Sequence, residues 1–311
     1  MNPNISRYLK ITPELQEAVK NQQPIVALES TIIAHGLPYP ENVRVATLLE
    51  QTIRDEGAIP ATLALLDGLI HVGLEPEELE SIASGKAVEK VSRRDFARVL
   101  ATNTMGATTV SATLMICQLM GIRVFATGGI GGVHRQVEKS WDISADLQEI
   151  ARTDATVVAA GVKSILDIPK TLEALETLGV PVATYQADQV PAFYSRQSGI
   201  KSPRRLDEVK DLAREMALKW GLGIHGGFLL NCPIPEAHEI PMSTMEPLIE
   251  VAMKKAKEQG IEGKETTPFL LKELREQSAG LTLEANIKLA QNNSAIASKL
   301  AMAYSEEITN Y

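Results

Sequence analysis

A chain of 311 residues with 44% hydrophobic content carries enough apolar material for a sizeable soluble core. Its 39 acidic against 31 basic residues leave a formal net charge of −8, which argues against a general nucleic-acid or anionic-membrane surface. Only Cys117 and Cys232 occur, with no zinc-type spacing, no run of roughly 18 apolar residues exists to span a membrane, and MNPNISRYLKITPELQ lacks an apolar signal core, so a reduced cytoplasmic protein is expected.

In chain order, Thr12-Pro13 reads as the N-cap and first position of a helix ending near Gln22. Residues 24–28, PIVAL, form a short buried strand that runs into Glu29-Ser30-Thr31. A loop from His35 to Pro40 follows, then a helix with Val45, Leu48, Leu49 and Ile53 on one face. Residues 62–66 and 69–72, joined by Asp67-Gly68, predict a strand pair with a tight turn. A short helix near 77–83 precedes a strand over 87–91 that carries Lys90 and is followed by Arg93-Arg94-Asp95. TNTMGATT (102–109) opens a mostly apolar helix over 110–120, and a strand over 123–126 ends in TGGIGGVHR (127–135). Ser144 is a good N-cap for the next helix. The most apolar strand covers 156–162 and stops at Lys163. A helix over 168–178, a strand over 181–185 and a helix over 206–220 continue the alternation, with the polar, basic 195–205 between them expected to be a mobile loop. A strand over 223–230 contains His225-Gly226-Gly227. From Pro241 the chain is helical, with Pro268 opening one helix and Thr282 capping another. Strands alternating with helices indicate a single layered α/β/α domain over 1–311, built around a mostly parallel sheet with a helical C-terminal part.

Glu29, Lys90, Thr127–Gly132 and Lys163 all stand where strands end, and parallel strands converge on a ligand crevice at their C-termini. A lysine at the mouth of an apolar strand has two readings. It can cap the strand and snorkel to solvent, or, dehydrated enough to present a neutral amine, it can attack a carbonyl or anomeric carbon. The glycine-rich stretch is no dinucleotide fingerprint, because His134 occupies the third glycine position. It serves either as a nest of backbone amides for an anion or as a packing turn. TNTMGATTV offers hydroxyls and amides at a helix start, as a phosphate or sugar site or as an ordinary helix cap. His35, His134 and His225 sit beside glycines at expected strand ends without metal-ligand spacing. Asp142 lies four residues before Asp146, with Ser144 between them. It suits a surface or capping role, or a hard cation held by one carboxylate and several waters.

The motifs ALESTIIAHGLPYPEN (27–42), TNTMGATTVSAT (102–113), FATGGIGGVHR (125–135), DISADL (142–147), GVKSILD (161–167), TYQADQVPAFYS (184–195), GIHGGFLLNCP (223–233), GKETTPFLL (263–271) and LEANIKLAQNN (283–293) span nearly the whole chain. In their order and content the chain resembles the pseudouridine-5′-phosphate glycosidases. The resemblance implies reversible cleavage of pseudouridine 5′-phosphate to uracil and ribose 5-phosphate, with Lys163 as covalent nucleophile and Glu29 as proton donor. It implies substrate contacts at Lys90, Val110, His134, Ser144, Ala145, Asp146 and Asn286, and a divalent cation, usually manganese, on Asp142. It also implies a homotrimer, while the acidic charge balance leaves no nucleic-acid or membrane partner expected. The bond broken joins uracil C5 to ribose C1′, so protonating a leaving oxygen, as most glycosidases do, is not available. The resemblance implies that the reaction runs through a C1′ imine on Lys163 instead. Two other readings remain open from the residues: an imine-forming aldolase or lyase acting on a sugar phosphate, and a sugar-phosphate-binding module without catalysis.

Overall fold

Apolar runs between glycine and proline turns become strands, and segments with apolar residues on one face become helices, in a computed structural model that describes residues 5–261, 263 and 266–309. Lys264 and Glu265 of the GKETTPFLL motif, and the two ends of the expected 1–311 domain, lie outside the described residues. The strands are β1 (Leu9–Ile11), β2 (Ile25–Leu28), β3 (Ile59–Leu66), β4 (Leu69–Val72), β5 (Glu89–Val91), β6 (Gly106–Thr108), β7 (Val124–Ala126), β8 (Val133–His134), β9 (Thr156–Ala159), β10 (Leu166–Asp167), β11 (Val182–Tyr185), β12 (Arg205–Leu206) and β13 (Phe228–Asn231). The helices are α1 (Pro13–Lys20), α2 (Glu41–Asp55), α3 (Pro76–Ser84), α4 (Arg93–Ala101), α5 (Val110–Met120), α6 (Val137–Ser140), α7 (Ala145–Arg152), α8 (Ile168–Thr177), α9 (Val209–Gly221), α10 (Met242–Glu258), α11 (Thr266–Gln277) and α12 (Leu281–Thr309).

Eleven of the described strands form one sheet in the order β1-β4-β3-β2-β7-β9-β13-β11-β12, with β6 and β5 attached through β3. Every neighbouring pair from β3 to β12 along that path is parallel. The expected α/β fold with a mostly parallel sheet is therefore present. Leu28 pairs Ala126, and Ala126 pairs Val158, so Glu29 and Thr127 emerge side by side at the sheet's C-terminal edge. The long α12 lies across β2, β7 and β9 and packs on α2 and α9. No helix among the described residues is long and apolar enough to cross a membrane.

Several local expectations change. The strand expected over 156–162 ends at Ala159, because Gly161 takes φ +86° and its α-carbon faces the Pro191 carbonyl too closely for a Cβ. Residues 160–163 instead run alongside 128–130, through Ala160 N to Gly128 O at 2.9 Å and Lys163 N to Ile130 O at 3.1 Å. The strand expected over 223–230 shrinks to β13. Gly226 has φ +101°, and a Cβ on Gly227 would lie 2.2 Å from Ala155 O. His225 therefore precedes its strand, 80% of its side chain exposed, with Nδ1 3.0 Å from Asp154 Oδ2 and away from the C-terminal edge. The 195–205 segment is packed down: Ser195 Oγ donates to Ile240 O at 2.6 Å, Ser202 Oγ to Thr184 Oγ1 at 2.8 Å, and Arg205 enters β12. Thr282 lies inside α12 instead of capping it. Helix α4 had no counterpart in the sequence expectation; its start is a capping box in which Ser92 and Asp95 each bond the other's backbone.

Candidate active site

Nine of the ten expected site residues converge on one cavity of about 400 Å³: Glu29, Lys90, Val110, His134, Asp142, Ser144, Ala145, Asp146 and Lys163. The tenth, Asn286, lines an inner chamber that shares Glu29, Lys90 and Lys163 with the cavity and adds His35, Thr127, Gly128, Gly129 and Phe193. Another cavity, about 520 Å³, touches the chamber at His35 and Asn286 but contains neither Glu29 nor Lys163. Chemistry, not size, locates the site.

Each element delivers its residue for a local reason. Glu29 and Thr127 come from the paired ends of β2 and β7. The Thr127 hydroxyl donates to Glu29 Oε1, and Glu29 is only 7% exposed. Burial raises the Glu29 pKa above the usual carboxylate range. The positive charge of Lys163 and the Thr127 hydrogen bond oppose that shift, Asp146 adds to it, and Lys90 opposes it. Lys163 follows the loop zipped to Ile130 and is half-buried. Lys90 arrives by a different route from the one expected: β5 runs parallel to β6, which is antiparallel to β3, so Lys90 does not sit at a parallel C-terminus. The long β3 extends past β2 and carries β6 and β5 over the same edge.

Asp146 is buried, and both its oxygens accept backbone N–H groups, from Ser111 at 2.9 Å and Gly131 at 2.8 Å. Its carboxylate thus braces the start of α5 and the glycine-rich loop. Ser144 caps α7 as expected, accepting Asp146 N at 3.2 Å. The starts of α5 and α7, at Val110 and Ala145, both face the cavity with their positive dipole ends. Arg93 also lines it, but its guanidinium is held by Glu149 at 2.6 Å; Arg94 is mostly exposed at the rim. His134 pairs with Leu166 in the small β8–β10 sheet and donates its backbone N–H to Asp142 O at 3.0 Å. Burial lowers its pKa, Asp142 raises it, and Lys90 and Lys163 lower it further, which favours the neutral imidazole.

Among the described residues no group of three His, Cys, Asp or Glu side chains is arranged to hold a metal ion. Asp142 Oδ2 lies 3.7 Å from His134 Nε2 at the cavity wall. One accessible carboxylate fits a hard cation that keeps most of its water and does not fit a closed, protein-ligated centre.

Phe193 carries no expectation from the residues, although it lies in a quoted motif. It is 2% exposed at φ +61°, an outlier for a bulky residue, and its ring would meet a Cβ on Gly129 at 2.6 Å. Nothing local in PAFYS signals that role.

The family model for indigoidine synthase A-like proteins matches residues 14–303. The chain is 52% identical over 303 residues to the pseudouridine-5′-phosphate glycosidase of Clostridium botulinum, covering 97% of this chain and 99% of that one. It is 50% identical over 297 residues to the pseudouridine-5′-phosphate glycosidase of Escherichia coli, covering 95% of each. Among solved structures, the prealnumycin C-glycosynthase AlnA in complex with ribulose 5-phosphate superposes with TM-score 0.91 at 36% identity, covering 98% and 99% of the two chains. An indigoidine synthase A-like protein from Thermotoga maritima superposes with TM-score 0.87 at 35% identity over 96% of each chain.

Proposed function

Because the chain belongs to the indigoidine synthase A-like family of pseudouridine-5′-phosphate glycosidases, we propose that it reversibly cleaves pseudouridine 5′-phosphate to uracil and ribose 5-phosphate through an imine on Lys163. The observation that carries this reading is that Glu29 and Lys163 face both the cavity and the inner chamber, Glu29 from the end of β2 and Lys163 from the loop after β9, two strands separated only by β7.

The chemistry follows from the bond. Lys163 Nζ displaces the ring oxygen from C1′, which takes a proton, leaving an open-chain adduct with both Nζ and uracil C5 on C1′. The nitrogen lone pair then expels uracil as C5 is protonated, and the C1′ imine remains. Water hydrolyses it to ribose 5-phosphate and the free amine. Glu29, whose burial favours the protonated carboxyl, is the acid of the site, and the Thr127 hydroxyl fixes its orientation. The outer cavity suits the sugar phosphate, with Lys90, Arg94 and two helix N-termini around it. The inner chamber suits the base: Asn286 Oδ1 is buried there with no protein partner among the described residues, ready for a ring N–H.

Asp142 would hold the divalent cation, manganese in this reading, directly and with water completing the shell. The cation would supply positive charge and ordered water beside the sugar phosphate. The family resemblance also supports a homotrimer, and two free, buried cysteines suit a reduced, cytoplasmic location.

Incubation with pseudouridine 5′-phosphate while following free uracil tests the function. Release of uracil is expected. An adduct with ribose 5-phosphate but no uracil would replace this reading with an aldolase-type lyase, and binding without adduct or uracil would leave a sugar-phosphate-binding module.

A further inference from the structure

Behind Glu29, between the ends of β2 and β7 and the middle of α12, lies a second, much smaller cavity of about 10 Å³. Its walls are mostly apolar, from Leu49 and Ala290 among others, but three polar residues open onto it: Glu29, Thr127 and Ser294. Ser294 is 1% exposed, and its Oγ has no protein partner among the described residues. A helical serine ordinarily bonds the carbonyl four residues earlier. Ser298, one turn on, does this, donating to Ser294 O at 2.9 Å, whereas the Ser294 hydroxyl does not turn back on its helix.

We propose that this cavity holds a single ordered water bridging Ser294 Oγ to the Glu29 carboxyl, and that Ser294 is a positioning residue for the acid. The volume is at the threshold for one water, about 10–15 Å³, and such a water needs two to four polar partners. Glu29, Thr127 and Ser294 supply them. An unpaired buried hydroxyl is costly, and a water relieves that cost at Ser294. The neighbouring Asn293 fastens the same region, its Nδ2 donating to Thr127 O at 2.8 Å and Gly128 O at 3.3 Å. Helix α12 thus holds the acid's surroundings at two successive residues.

The charged groups that Glu29 senses come from elsewhere: Lys163 beyond β9, Asp146 on α7 and Lys90 on β5, with His35 lining the same chamber. From α12 the carboxyl receives a neutral hydroxyl through water. A water donating to the carboxylate favours its charged form, so removing it strengthens the protonated form further.

The catalytic consequence rests on the acid role of Glu29 proposed above, whereas the water itself does not. The test is a high-resolution crystal structure of the full chain and of Ser294→Val, together with pH profiles of kcat/KM for uracil release. Wild type should show one water peak within about 2.6–3.2 Å of both Ser294 Oγ and Glu29, and the valine methyl groups should expel it. The limb of the profile that reports the acid should move up by about one pH unit, a tenfold change in proton affinity, with KM little changed. Ser294→Ala, which keeps the room but withdraws one partner, should move it the same way by less, and it serves alone if the valine variant does not fold. A wild-type cavity without water density would overturn the proposal, as would an unshifted profile in the variants. If wild type releases no uracil, the reading of the function fails while the crystal density still decides the water.

Discussion

In the proposed mechanism Lys163 is the nucleophile and Glu29, which is buried and held by the Thr127 hydroxyl, is the acid. Borohydride added with ribose 5-phosphate should trap an adduct on Lys163, and peptide mapping to Lys90 instead would remove Lys163 as nucleophile. Lys163→Ala should abolish uracil release with the fold intact. Glu29→Gln should lower turnover by about 10²-fold or more, within the range for a lost proton donor. It should also stabilise the protein near pH 7. Burial raises the folded-state pKa of Glu29, so the unfolded chain gives up this proton at lower pH than the folded one. The folded state's advantage is therefore full below the unfolded pKa and is lost as pH rises through the folded pKa. A melting series should show Glu29→Gln above wild type at pH 7, with the gap narrowing toward pH 4; a gap that widens on acidification would contradict the buried-acid assignment. Asp142→Ala should leave activity very low and unresponsive to added manganese, whereas full metal-independent turnover would remove Asp142 as the cation's ligand.

The glycine-rich connection between β7 and β8 acts as a fitted part. A Cβ on Gly131 would lie 2.3 Å from Ser144 Oγ and 2.7 Å from Asp146 Oδ2, both tied into the start of α7. Gly131→Ala should therefore displace the Asp146 brace from α5, costing about 1–3 kcal/mol of stability and raising KM at least tenfold. Gly221→Ala in α9, where a Cβ meets nothing within 4 Å, is the matched control and should leave both unchanged. Comparable losses in the two variants would show that the loop tolerates side chains generally. Phe193 belongs to the same fitted surface, since its ring occupies the space that Gly129 leaves open.

Across the whole molecule, Cys117 and Cys232 are free, buried thiols, and burial pushes both well above the usual thiol range, where they are poor nucleophiles. Thorough reduction should leave activity and melting temperature unchanged, and a loss of activity on reduction without unfolding would expose a disulfide or other thiol role. The amino-acid order alone determines what depends on a few neighbouring residues. Helix α5 spans Val110–Met120 as its apolar run predicts, β3 and β4 turn at Asp67-Gly68 with both residues at positive φ, and Ser144 caps α7. Glu29 and Lys163 were legible as candidates because each follows an apolar run at an expected strand end, whereas Val110, Ala145 and Asn286 entered only through the family resemblance. Only the tertiary structure decided the rest. It ended β9 before Lys163, brought Lys90 in on a strand running the other way, committed the Asp146 carboxylate to two distant amides, and set Ser294 behind Glu29. Propensity and capping act over a few residues, whereas strand register, helix packing and the space left between them join residues hundreds of positions apart, and one chain carries no local mark of such partners.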